Sequence, residues 1–211
     1  MPKLRSAFAQ VQLYGMSGLW RLLRSNLCAS GNYFRLQLDL RKQPENIMPT
    51  PLTSLRIERG DLAQLARLRS AAAASAWPAD FQADRTHGLR QFYLGFWNEQ
   101  VAHILWLTGA GDASTVSDWQ PQAHEVEFRN VHTLRAFRRK GIFAHVVRAA
   151  LRQIRDQGIH IAYAHVDERN PASLHGFRAL GFQPAEQITI RRTLGVDRIR
   201  HAPIKPTESP S

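Results

Sequence analysis

A single cysteine, Cys28, stands in 211 residues. The chain can therefore close no internal disulfide and offers no cysteine-based zinc site, which fits a reducing compartment such as the cytoplasm. Apolar runs are short: none approaches the roughly 18 to 20 residues of a membrane span. Acids are scarce too, with seventeen Asp and Glu against twenty-eight Lys and Arg, for a formal charge of +11. The first acid is Asp39, so Lys3, Arg5, Arg21, Arg24 and Arg35 stand unopposed in residues 1–38. A field of this sign favours anions, whether nucleic acid, an anionic membrane surface or a polyphosphate cofactor, without choosing among them. No metal site is expected: the histidines fall at no ligand spacing, and "HEVEF" lacks a second histidine four residues on. There is no internal repeat.

At 44% hydrophobic residues, the length suits one packed domain with extensions. Residues 1–50 read as a basic N-terminal extension. "FAQVQLYGMSGLWRLLRSN" is interrupted by Gln, Gly and Ser, unlike a signal peptide. Its Val11, Leu13, Met16, Leu19, Trp20, Leu22 and Leu23 predict an amphipathic helix, packed on the domain or on a second copy of the chain. A membrane-surface helix and a transit peptide are the alternatives. "NYFRLQLDL" (32–40) alternates Phe34, Leu36, Leu38 and Leu40 with polar neighbours, the pattern of an edge strand, and "KQPENIMPTP" (42–51) reads as a linker.

The domain is expected over 51–195. "SLRIERG" predicts a strand and "DLAQLARLRSAAAASA" a helix capped by Asp61. "WPADFQADRTHG" (77–88) is a short helix or loop displaying polar groups. "RQFYLGFW" and "VAHILWLTG", joined by "NEQ", predict an antiparallel hairpin. After a turn-rich stretch at 109–124, "EVEFRNVHT" (125–133) alternates as a strand. Ile142, Phe143, Val146, Val147, Ala150, Leu151 and Ile154 keep helical spacing. "HIAYAHVD" is a strand, "PASLHGFRAL" a helix with Pro171 in its first turn, and "GFQPAEQITIRRTLG" begins the last strands. Residues 196–211 are expected to be a flexible tail.

The stretch "RAFRRKGIFAHVV" (135–147) sets four cations before a glycine and then opens the helix. Backbone N–H groups at a helix start have no intrahelical partners, and the helix dipole adds positive potential, so "RRKGIF" can cradle a pyrophosphate. A solvated basic turn is the alternative.

Arg138, Arg139, Lys140, Gly141, Ile142 and Phe143 resemble the acetyl-coenzyme A signature of the GNAT superfamily of N-acyltransferases, Arg/Gln-x-x-Gly-x-Gly/Ala between a strand and a helix. Phe143 takes the place of the second small residue, and Ala144 follows. Asn170, Ser173, Phe177, Gly181 and Phe182 match the family's second motif. The resemblance covers about residues 53–195. It implies an α/β (α+β) fold, a mixed central sheet with flanking helices and a splayed strand pair that holds acetyl-coenzyme A. Val131 and Thr133 would lie in the splay with free backbone amides. Glu127, eleven positions before Arg138, matches the general base of the histone-acetylating branch. The loop carrying Asp84 and His87 borders the acceptor site in relatives. At Phe177 relatives commonly have a tyrosine whose hydroxyl serves the departing thiolate.

The resemblance thus implies an N-acetyltransferase acting on an amine, with a small molecule or sugar as the expected acceptor. A strongly basic chain is a poor electrostatic match for Lys-rich tails. Residue by residue the alternatives stand: Glu127 as a strand carboxylate paired with Arg129, and Asp84 or His87 as surface or capping groups. A non-catalytic domain that binds coenzyme A or a partner would account for Phe177. A nucleic-acid-binding protein would account for the charge, but no helix-turn-helix, zinc finger or RNP aromatic pair is present.

Overall fold

A computed structural model describes residues 28–43, 52–71, 77–112, 119–193 and 196–204. The predicted N-terminal helix and most of the proline-rich linker lie outside the described residues. Eight strands form one sheet in the order β2-β3-β4-β5-β6-β1-β7-β8. They are β1 (Cys28–Asp39), β2 (Leu55–Gly60), β3 (Gln91–Trp97), β4 (Gln100–Thr108), β5 (Glu125–Thr133), β6 (Ile161–Asp167), β7 (Gln183–Thr193) and β8 (Val196–Pro203). Every neighbouring pair is antiparallel except β5 and β6. The helices are α1 (Leu62–Ala71), α2 (Ala83–His87), α3 (Ile142–Asp156) and α4 (Pro171–Arg178), with 3-10 turns at Ala79–Gln82 and Arg135–Phe137.

Local chemistry accounts for these elements. Asp61 Oδ1 accepts the Gln64 N–H at 2.8 Å, capping α1 as predicted. The β3–β4 hairpin turns through Asn98 and Glu99, both at positive φ (46° and 62°), the backbone that a two-residue turn needs to match strand twist. α3 buries Ile142, Val146, Val147, Ala150, Leu151 and Ile154 along one stripe. They meet Leu105, Leu107, Phe128 and Ala164 of the sheet and Phe177 and Phe182 beyond it. Alternate residues of β3 and β4, among them Phe92, Leu94, Ile104 and Trp106, point to the opposite face. There they pack with Leu65 of α1 and with Phe81 and Ala83. Each of the Val, Leu, Ile and Phe side chains among them contributes about 1.5–3 kcal/mol on burial. Among the described residues, no helix is long and apolar enough to cross a membrane.

Two expectations change. The strand expected at an edge over 32–40 lies inside the sheet: β1 pairs with β6 on one side and β7 on the other, and Leu36, Leu38 and Leu40 are buried in the main core. Alternation reports a strand's two faces, whereas edge or interior is decided by hydrogen bonding in the sheet plane, which side chains do not encode. The body of the protein therefore begins before residue 51. Residues 196–203, expected to fray, form β8, antiparallel to β7 from Thr193↔Val196 to Glu186↔Pro203. The described side chains of "VDRIRHAP" are almost all exposed, so the segment carries no apolar alternation to announce a strand.

Candidate functional site

β5 and β6 are in register only from Glu125↔Ile161 to Phe128↔Ala164. Beyond that point the two parallel strands diverge. The β4–β5 register shifts between Ile104 and Trp106, and Asn130 of β5 sits at φ 44°, a bulge that turns the strand away from β6. A cleft of about 290 Å³ opens between them, with Phe128, Val131, Val166 and Asp167 on its walls and Asn170, Ser173 and Phe177 at one end. Asp80, His87, Arg129 and Asn130 line it as well, as do Glu127 and His165.

The basic turn lies outside this lining. Gly141 is the N-cap of α3 at φ 75°, and no side chain caps the helix. The first amides of α3, from Gly141 through Ile142 and Phe143 to Ala144, therefore have no intrahelical partner. A Cβ built at Gly141 would touch nothing closer than His145 Nδ1 at 3.6 Å, so the turn is open. Arg138 Nε donates to the Thr133 carbonyl at 3.1 Å, tying the turn to the end of β5. Arg139 adopts φ 62°, and Lys140 Nζ lies 4.9 Å from the Trp97 ring centre, a cation–π contact. Ile142 is buried, so only its backbone can serve a ligand. Phe143 meets Phe177 edge to face at 5.2 Å. Its bulk is accommodated because Gly176 faces it: a Cβ there would stand 2.9 Å from the ring.

Asn170 Oδ1 accepts the Ser173 N–H at 3.1 Å and caps α4, so both residues have a structural task at the cleft's end. Phe177 packs against Phe143 and Phe182 in the core. Val131 lines the cleft. The Thr133 hydroxyl instead bonds His103 Nδ1 at 2.7 Å, and burial pushes His103 down to about 3.

Of the two predicted acceptor residues, His87 lines the cleft and Asp84 does not. Burial and the Arg129 guanidinium hold His87 below its ordinary value. Asp84 is a structural partner: its Oδ2 accepts from Arg69 Nη1 at 3.0 Å and its Oδ1 from Nη2 at 2.5 Å, and Nη2 also reaches the Phe81 carbonyl. This pair ties α1 to α2. Asp84→Ala would leave a buried guanidinium unpaired, at a cost of about 3–5 kcal/mol. The melting temperature should then fall by about 10 °C, while coenzyme A affinity stays within twofold at temperatures where the variant is folded. An unchanged melting temperature would refute the structural role.

Sequence reading missed Asp80 and His165. Asp80 accepts from His132 Nδ1 at 2.9 Å and Asn130 Nδ2 at 3.2 Å. Burial pushes its carboxyl up, but these hydrogen bonds outweigh that and hold it below the usual carboxylate value. Glu127 is the general base that the family resemblance implies, and its side chain is 1% exposed. Its Oε1 meets His165 Nδ1 at 2.7 Å, with Arg129 Nε at 4.0 Å. Beside it, Tyr163 donates to Glu125 at 3.0 Å, and burial together with that carboxylate pushes the phenol up to about 12. The alternation of "HIAYAHVD" sets Tyr163 and His165 on one face, but only register brings His165 to Glu127. No group of three or more His, Cys, Asp or Glu residues suited to a metal occurs among the described residues.

The model of the acetyltransferase (GNAT) family matches residues 62–182, more than half of the chain. No curated protein matches by sequence. Among solved structures, a GNAT-family protein from Novosphingobium aromaticivorans superposes with a TM-score of 0.54 at 17% identity, over 76% of this chain and 63% of its own. A GCN5-related N-acetyltransferase from Kribbella flavida gives 0.52 at 17% identity, over 82% and 62%. Another, from Sphaerobacter thermophilus, gives 0.56 at 15% identity, over 86% and 58%. At these identities the likeness is one of fold. The chain spans about three fifths of the length of these structures.

Proposed function

Because the chain belongs to the GNAT acetyltransferase family, we propose that it moves an acetyl group from acetyl-coenzyme A to the amine of a small molecule or amino sugar. The observation that carries this reading is the divergence of β5 from β6 beside the uncapped start of α3, with a buried carboxylate at its base. The residues fit the cosubstrate. The amides of Gly141 to Ala144, with Arg138, Arg139 and Lys140, would hold the pyrophosphate. The backbones of β5 near Val131 and of β6 near Asp167 would meet the pantetheine, and Asn170 and Ser173 line the same cleft. Acetyl-coenzyme A supplies a thioester, an acyl group already activated toward amines.

The protein's part is to orient that acyl group, exclude water and remove a proton. An acceptor ammonium entering past Asp80 and His87 meets a carboxylate held ionised by its hydrogen bonds. Deeper in, Glu127 is placed to take the proton that the amine must lose before it attacks. A second reading has its own observation: Phe177, buried among aromatics, offers no hydroxyl to a leaving thiolate, as suits a domain that binds coenzyme A without transfer.

Calorimetry with acetyl-coenzyme A and thiol release over a panel of amines separate the two. Glu127→Gln keeps shape and hydrogen bonding but removes basicity. It should lower kcat about 100-fold with coenzyme A affinity within twofold. Transfer at the wild-type rate would place the base elsewhere. Binding without transfer to any amine would favour the second reading, and a folded protein that ignores acetyl-coenzyme A would end both.

A further inference from the structure

We propose that Glu127 and His165 act as one proton-accepting unit, in which His165 is the positioning residue for the Glu127 carboxylate. This rests on the acetyl-transfer reading and names a residue to which neither family motif points. The two side chains come from the two strands that diverge, and both residues line the cleft. Each side chain is 1% exposed, and Nδ1 lies 2.7 Å from Oε1. The other atom of each group, Glu127 Oε2 and His165 Nε2, is buried with no hydrogen-bond partner among the described residues.

Purely structural buried pairs are normally satisfied at every polar atom, because an unmet donor or acceptor costs about 1–3 kcal/mol. Here both partners keep one site in reserve, on strands that open onto a cleft. In the proposed tautomer Nδ1–H donates to the carboxylate, which leaves Nε2 as an acceptor and holds the carboxylate in one rotamer.

The charged and titratable surroundings are specific. Arg129 stands 4.0 Å from Oε1 on the same strand, and Arg35 of β1 is the cross-strand partner of His165. The Glu125–Tyr163 pair lies on the same face, Trp119 packs edge-on against the imidazole at 5.6 Å, and His87, Asp80 and Asp167 line the cleft. In the proposed unit the imidazole shares the arriving proton. The step balances. One proton of R–NH₃⁺ passes to the pair, the freed nitrogen lone pair forms the C–N bond, and the C–S bond breaks. The thiolate then takes the second nitrogen proton, and the pair returns its own to water.

His165→Asn tests this, because the amide nitrogen can still donate to Glu127 but cannot share a proton. We expect kcat to fall about 10-fold or more, the acid limb of the kcat profile to change position, and coenzyme A affinity to stay within twofold. Adding it to Glu127→Gln should cost nothing further, since the two act as a unit. Wild-type kcat with an unchanged profile, or additive losses in the double variant, would overturn the proposal. Should His165→Asn fail to fold, ¹⁵N NMR of the wild-type imidazole decides. The Nδ1–H tautomer with bare Nε2, and a titration that moves in Glu127→Gln, support the unit; an Nε2–H tautomer or an unmoved titration refutes it. If the imidazole behaves as expected but no amine is acetylated, the failure falls on the transferase reading alone.

Discussion

Gly141→Glu should abolish coenzyme A binding in a chain that still folds. The new side chain would force a left-handed φ of 75° on a residue with a Cβ, at about 1–2 kcal/mol. It would also set a carboxylate among the amides proposed to face the pyrophosphate. Two like charges about 4 Å apart near a protein surface repel by about 4 kcal/mol. The repulsion alone raises Kd by about 10³-fold, while the strain lowers the stability of the fold. Gly141→Ala separates the contributions. Its Cβ meets only ordinary contacts, His145 Nδ1 at 3.6 Å and Leu52 Cδ1 at 3.9 Å. Only the strain remains, which costs stability and leaves affinity within a few-fold. Calorimetry on both variants, with circular dichroism to confirm the fold, reads this directly. Unaltered binding by Gly141→Glu would show that the phosphates lie elsewhere.

The second large effect concerns the N-terminal strand. A chain beginning at residue 51 keeps both family motifs, and sequence alone would count it as the complete domain. It should nonetheless fail to fold. Removing β1 strips the ladder partners from β6 and β7 at once and takes Leu36, Leu38 and Leu40 out of the core. Three such leucines account for about 5–9 kcal/mol of burial, against a total stability of about 5–15 kcal/mol. Two newly exposed strand edges add a template for aggregation. The expected result is no cooperative thermal transition and no coenzyme A binding. A cooperative melt with retained binding would show β1 to be dispensable.

The parts of the site legible in the sequence were those that a short segment settles within itself. Gly141 before an apolar helical stripe is a local event: a positive φ, uncapped amides and the first turn of α3 all lie within a few residues. The Asn170 cap of α4 and the Asp61 cap of α1 are of the same kind, since capping reaches only three residues along the chain. The β3–β4 hairpin closes through two residues. The alternation of β5 carried Glu127, and its role as a base was implied by the family resemblance.

Asp84 and Asp80 show where such reading stops. Both are acids in one stretch of "PADFQADRTHG", and nothing local separates them. Arg69 claims the first from another helix, and the β5 bulge presents Asn130 and His132 to the second. The sequence by itself determined the described helices, the hairpin, the glycine turn before α3 and the strand that carries Glu127, because periodicity, capping and turn chemistry act over a few residues. The tertiary structure alone decided that β1 lies inside the sheet, that β8 extends it and that His165 meets Glu127. Those outcomes depend on hydrogen bonding and register between strands far apart in the chain, and the energy of a cross-strand pair belongs to neither segment until the sheet has formed.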